Sequence, residues 1–135
     1  MNMKTAMTIL SFLLWMSFSA CQEDDTGKAG REAPVLTIKN VSSSGVSFTA
    51  TVSEDAKDGK IYYALTREDD PEPTGPEIVE NKVYFSSHAN LAGRTSVLLS
   101  INQLAFGKTY YLYSVVTLGD VIGNRSAKYE VKVGG

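Results

Sequence analysis

Cysteine occurs once in this 135-residue chain, at Cys21. A lone thiol can act as a nucleophile, a metal ligand, an intermolecular disulfide partner or an attachment point for lipid. Its surroundings choose among these. Asn2 and Lys4 give a short polar, positively charged start, and Ala6 to Phe18 is an almost uninterrupted apolar run closed by the small pair Ser19 and Ala20. A bilayer core needs roughly 20 apolar residues to be crossed, so this shorter run reads as a secretory leader, with Cys21 directly behind it. Two other readings stand beside it: Cys21 as an ordinary small residue at the end of a signal peptide, and the whole segment as an uncleaved signal anchor.

Other side chains offer little for catalysis. His88 is the sole histidine, with no cysteine or histidine cluster around it, so a structural zinc site is not expected. Ser86-Ser87-His88 falls in an expected loop, and no Gly-x-Ser-x-Gly elbow is present to hold a serine nucleophile. Acids gather at Glu54, Asp55 and Asp58 and along Glu68 to Glu72, where solvated loop charge is a better reading than the cleft-bound carboxylate pair of a glycosidase. Asp55 to Asp58 lacks the alternating spacing of a calcium loop. Asn40-Val41-Ser42 and Asn124-Arg125-Ser126 match the glycosylation sequon, a pattern that arises often by chance. The expectation is a non-enzyme with no metal and no cofactor.

Charge narrows the partners. Of the 13 Lys and Arg residues only Lys4 precedes Cys21, leaving 12 against 15 acids and no basic surplus to neutralise phosphates, so a nucleic-acid role is not expected. Residues 21 to 135 number 115, enough for one domain with its own core. With its one cysteine outside the β-patterned region, that core is expected to be held by apolar burial without a disulfide.

The elements follow from pattern. Gln22 to Ala33 carries charges and glycines with no apolar period, as a flexible tether does, and Pro34 ends it. The division is therefore a leader over 1–20, Cys21 and an acidic tether over 21–33, and a β domain over 34–135. Within that domain β-branched and aromatic residues alternate at period two, broken by turns every 8 to 15 positions, which argues for an antiparallel sandwich. Strands are expected over Val35–Asn40, Gly45–Val52, Lys60–Thr66, Val83–Phe85, Arg94–Asn102, Lys108–Thr117 and Ala127–Val133, seven in all. Glu68 to Pro76 holds three prolines and must be a loop, since proline removes a ladder donor. Pro76 with Glu77 to Glu80 can nucleate one helical turn.

Alternation then places the most suggestive surface. If Tyr110, Leu112 and Val116 face the core, Tyr111, Tyr113 and Val115 face out, and Tyr62, Lys128, Glu130 and Lys132 share that outer face. Tyr62, Tyr111, Tyr113, Lys128 and Lys132 form a candidate binding face for a sugar or a protein. The same residues also fit plain cross-strand pairing with lysine stems lying over the rings.

Two resemblances add to this. Phe18-Ser19-Ala20-Cys21 resembles the lipobox of gram-negative lipoproteins, with Phe18 where that family prefers Leu. The resemblance implies a diacylglycerol thioether on Cys21, cleavage before it, acylation (palmitate) of the new N-terminus, and attachment to the outer membrane. Gln22-Glu23-Asp24-Asp25 resembles a signal that sends such lipoproteins to the cell surface, though an acidic run heading a linker reads the same way. Leu104-Ala105-Phe106-Gly107-Lys108-Thr109-Tyr110 resembles the tyrosine corner of a fibronectin type III domain, an immunoglobulin-like sandwich, which implies that the Tyr110 hydroxyl bonds back to upstream backbone, with Leu104 and Gly107 shaping the turn. Asp120, Gly123, Asn124 and Ser126 resemble the last turn of bacterial members of that family. Pro73-Thr74 with Glu77-Ile78 resembles an insert that places a short helix or turn between the two sheets. The second-strand tryptophan of many such domains is missing, so Phe48 or Ala50 is expected to fill its space. Together these imply a lipid-anchored envelope module that binds a glycan or protein, or a structural spacer or accessory subunit of a larger envelope complex.

Overall fold

The computed structural model describes residues 31–134, so the leader, Cys21 and the tether up to residue 30 lie outside the described residues. The chain folds as an all-β sandwich of two antiparallel sheets with three and five strands. In chain order the elements are β1 (Val35–Val41), β2 (Val46–Thr51), a 3-10 turn (Glu54–Ala56), β3 (Lys60–Arg67), α1 (Gly75–Val79), β4 (Phe85–Asn90), β5 (Ser96–Ile101), β6 (Thr109–Leu118), β7 (Val121–Ile122) and β8 (Tyr129–Lys132). One sheet runs β1-β2-β5; the other runs β4-β3-β6-β7, with β8 also paired to β6.

Alternation sets the core, because successive strand residues point to opposite faces. Val46, Phe48 and Ala50 of β2 and Val97, Leu99 and Ile101 of β5 are buried, while Ser47, Thr49 and Thr51 point away. Facing them, Ile61, Tyr63 and Leu65 of β3 and Tyr110, Leu112 and Val116 of β6 close the interior. Phe48 and Ala50 are both 0% exposed, and Phe48 meets Tyr63 edge-on at 5.7 Å, a preferred aromatic geometry.

Beyond shifts of one or two residues at strand ends, the elements differ from the sequence reading at β4, β7, the helical turn and the 3-10 turn. The edge strand expected over Val83–Phe85 runs instead over Phe85–Asn90, which moves Ser86, Ser87 and His88 from a loop into β4. Phe-Ser-Ser-His-Ala-Asn has no β-branched residue, so its strand state comes from the free edge of β3, against which it pairs from Lys60↔Asn90 to Leu65↔Phe85. The eighth strand, β7, is a two-residue hairpin extension on β6, too short for periodicity to reveal. The helical turn forms as α1, yet it does not lie between the sheets. It connects two strands of one sheet and packs on that sheet's outer face, where Ile78 joins Ala64, Tyr113 and Val115 in a second apolar cluster. The polar stretch after β2 also contains the 3-10 turn, and Gly59 closes it where a Cβ would stand 2.2 Å from the Thr117 carbonyl oxygen.

The tyrosine corner forms as the resemblance implied. The Tyr110 hydroxyl accepts from the Ala105 N–H at 3.1 Å, Leu104 is buried beside it, and Gly107 takes φ +82, a left-handed conformation that suits glycine.

Candidate binding face on the five-stranded sheet

Register places the expected tyrosines on one face. Tyr62 of β3 lies opposite His88 of β4 and Val115 of β6, and Tyr111 lies opposite Thr66 of β3 and Glu130 of β8. That face is not open. Residues 68–84 between β3 and β4 form a strap that crosses it, and Tyr113 is 1% exposed beneath. Tyr62 and Tyr111 are half-buried at the edges of the same cluster. Tyr113 is therefore corrected from a surface residue to a second-core residue. Burial raises its phenol pKa above the ordinary value, the neighbouring Thr66 hydroxyl pulling the other way.

The strap is shaped locally and then pinned. At its crest α1 starts with a capping box: Thr74 Oγ1 accepts from the Glu77 N–H at 3.2 Å while the Thr74 N–H donates to Glu77 Oε1 at 2.9 Å, and Pro76 sits in the first turn. This satisfies two otherwise orphaned donors and lets a helix of five residues persist, with Ile78 fully buried as its anchor. Ahead of the helix, Arg125 Nη1 donates to the Pro73 carbonyl at 2.9 Å and approaches Glu72 Oε1 at 3.4 Å. Lys128 Nζ stands 3.3 Å from Glu72 Oε2.

Both cations also lie over tyrosine rings: the Arg125 guanidinium is 4.8 Å from the Tyr113 centroid, and Lys128 Nζ is 4.7 Å from that of Tyr111. Glu72 is thus held between two cations that are themselves seated on the aromatic face. The hydrogen bond and charge of Lys128 hold the Glu72 carboxyl below the usual range, with a smaller contribution from Arg125, and Glu72 in turn raises the pKa of Lys128.

Of the residues proposed from sequence, the structure brings Tyr62, Tyr111 and Tyr113 onto one face and places Lys128 over Tyr111. Lys132 is exposed farther along β8, opposite Thr109, away from the ring stack. Sequence reasoning missed Glu72 and Arg125. Loop composition assigns Glu72, with its acidic neighbours, to solvated charge, and places Arg125 in a turn. The one available signal was the pair Ile78-Val79 inside a proline-rich acidic loop, an apolar pair that requires a surface to cover. The His88 ring packs tilted against Tyr62, centroids 5.1 Å apart and planes at 34°. Among the described residues, no three His, Cys, Asp or Glu side chains converge as a metal site would require.

At the end of the sandwich where the strap leaves β3, the Tyr84 ring stacks on Tyr110 at 6.1 Å and the Arg67 guanidinium lies 4.8 Å from the Tyr84 centroid. Asp70 accepts from both the Arg67 backbone and its guanidinium, which lowers the Asp70 pKa. An open cleft of about 500 Å³ lies between this stack and Lys108.

No family model and no curated protein matches the chain. Solved structures do. Over 78% of this chain it superposes on the FN1–FN3 domains of chicken CNTN1 with a TM-score of 0.57 at 16% identity, a match that covers 33% of that chain. A structure described as a myokine gives 0.56 at 12% identity, covering 78% of this chain and 99% of that one. A redesigned β-sandwich protein gives 0.51 at 13%, covering 76% and 96%. At these identities the likeness establishes the fold, a fibronectin type III-like sandwich.

Proposed function

We propose that the chain is a lipid-anchored, non-catalytic module of a bacterial outer membrane, acting at the cell surface through contacts with a protein or glycan partner. The observation that carries this reading is the position of Cys21, directly behind an apolar leader closed by Ser19 and Ala20. Each buried acyl CH₂ contributes about 0.8 kcal/mol, so several chains on one residue hold effectively permanently. The 13 residues Gln22 to Pro34 then separate the anchor from β1. The acidic run at Glu23 to Asp25 supports the outward-facing location.

Mass spectrometry of native material tests the anchor. The expected N-terminal peptide begins at Cys21 and carries the mass of a diacylglyceryl thioether plus an amide-linked acyl chain, and Cys21→Ser is expected to abolish that modification. An unmodified thiol behind an intact leader would overturn the reading.

The second reading, a spacer or accessory subunit packed in a larger envelope complex, is favoured by the covering of the aromatic face. With Tyr113 sealed and Tyr111 capped by Lys128, the sheet keeps little free ring surface on which a sugar could stack.

A further inference from the structure

Two of the three tyrosines on the outer face of the five-stranded sheet lie under cations, Tyr111 beneath Lys128 and Tyr113 beneath Arg125. Tyr62 does not. Among the described residues no cation lies over its ring, whose neighbour is the exposed His88 on the strand beside it. Tyr62 is half-buried and borders an open cleft of about 510 Å³, where the sheet continues past the end of α1.

Register builds the rest of that cleft. One row nearer the end of the sheet, Asn90, Lys60 and Thr117 stand opposite one another on β4, β3 and β6. Lys60 and Tyr62 are two positions apart on β3, so the row shares the face of Tyr62. Asp58, from the turn before β3, and Asp120, from the β6–β7 hairpin, line the same cleft together with Val79 of α1.

Its polar groups are unspent. Asp58, Lys60 and Asp120 bring both signs of charge to one opening, yet among the described residues none of them forms an ion pair. The hollow beneath the strap differs in this respect, because its charges are matched: Arg67 with Asp70, Lys82 with Glu80, and Glu72 with Arg125 and Lys128. The cleft beside Lys108 differs in another, since its ring, Tyr84, is already engaged by Tyr110 and Arg67.

The lining selects a chemistry. Carboxylates accept hydrogen bonds, an ammonium donates them, and a carboxamide and a hydroxyl do both. A ligand rich in hydroxyls meets all of these at once, and a sugar ring adds an apolar C–H face for Tyr62. Two aspartates against one lysine leave a single excess negative charge, which disfavours acidic sugars. The volume falls within the range of about 300–1,000 Å³ common for small-ligand sites.

We propose that this cleft is a glycan-binding site for uncharged sugars, with Tyr62 as the platform and Asp58, Lys60, Asn90, Thr117 and Asp120 as the hydrogen-bonding rim. It gives a place and a ligand class to the partner contacts proposed above and rests on that half of the reading, while owing nothing to the lipid on Cys21. A sugar held mainly by hydrogen bonds needs one ring, so the covering of Tyr113 does not oppose it. An open site with a single ring binds weakly, with a Kd on the order of millimolar for a short oligosaccharide.

The test is heteronuclear NMR of the full chain in a polyoxyethylene detergent, which has no sugar headgroup, titrated to about 20 mM with maltotetraose, mannotetraose, xylotetraose and chitotetraose, and with tetragalacturonate as the acidic counterpart. At least one neutral sugar is expected to shift the amides of residues 58–62, 88–90 and 117–122, and tetragalacturonate to bind at least tenfold more weakly. Asn90→Ala and Asp120→Ala, both at exposed positions, are each expected to weaken binding at least fivefold with Tm unchanged, and Lys132→Ala on β8 to leave it as in the wild type. No shift with any neutral sugar, shifts confined to the strap or to the Lys108 cleft, equal binding of tetragalacturonate, or binding that both cleft variants retain overturns the proposal. Any of these leaves the mass of the Cys21 peptide unaffected, so failure of the site and failure of the anchor are told apart.

Discussion

Tyr110 shows how one atom can set a stability. Its ring is 4% exposed, and its hydroxyl is the partner of the Ala105 N–H at 3.1 Å. Replacing it with phenylalanine keeps the packing and removes that acceptor at a part-buried site, a loss of about 0.5–1.5 kcal/mol. Tyr110→Phe is therefore expected to lower Tm by several degrees, read by calorimetry, since 1 kcal/mol moves a domain of this size by about 4–8 °C. A shift under 2 °C would mean that the corner only decorates the turn. Ser126 has a comparable role: its hydroxyl accepts from the Ser114 N–H at 2.9 Å and donates to the Ala127 carbonyl at 2.8 Å, so a buried serine joins the last connection to β6.

Among elements, the strap separates what local pattern can reveal from what it cannot. Val46 to Thr51 and Ser96 to Ile101 alternate cleanly, and their core positions follow from period two alone. The inner and outer faces of β6 were legible for the same reason. Whether the outer face is wet was not, because that depends on residues 68–84 folding back over a sheet paired through positions some 50 residues away, such as Tyr63↔Ser114. Tyr113 looks identical in sequence whether bare or covered. So does Glu72, which loop composition assigns to solvent and tertiary structure places between Arg125 and Lys128. The lesson for β4 is similar, since its strand state is imposed by β3 and not by its own residues.

The contact between Glu72 and Lys128 that pins the strap carries a pH signature. Because Lys128 lowers the folded pKa of Glu72, the stabilisation it gives is fully present above the unfolded carboxyl value of about 4.3 and is lost as pH falls through the lower folded one. Lys128, raised by the same contact, holds its share up to about pH 10.4 and loses it above. Hydrogen exchange of residues 70–82, corrected for intrinsic rates, is accordingly expected to be flat between pH 5 and 8 and to show greater opening below pH 4. Glu72→Gln is expected to remove that acid step while leaving the global melting temperature nearly unchanged, as befits an exposed pair. An acid step that persists in the variant would assign it to another carboxylate.

Taken as a whole, the molecule relies on burial without covalent help. The only cysteine, Cys21, precedes the described sandwich, so residues 31–134 contain no thiol with which to form a bridge. Small domains in oxidising compartments commonly depend on disulfides, and removing one costs about 2–5 kcal/mol. Here the work falls instead to two apolar clusters, the interior between the sheets and the smaller one beneath α1, which lie back to back across the five-stranded sheet. Layering helix on sheet on sheet buries both faces of β3 and β6, and residues 61 and 63–66 of β3 are all under 10% exposed. A two-faced central strand compensates for the missing cross-link by raising the apolar area buried per residue. The thermal unfolding midpoint is therefore expected to be the same, within 1 °C, with and without a strong reductant, read by near-ultraviolet circular dichroism on monomeric protein at low concentration. A fall of several degrees on reduction would show that an intermolecular bond through Cys21 supports the fold, and the account of a sandwich held by its two clusters alone would fail.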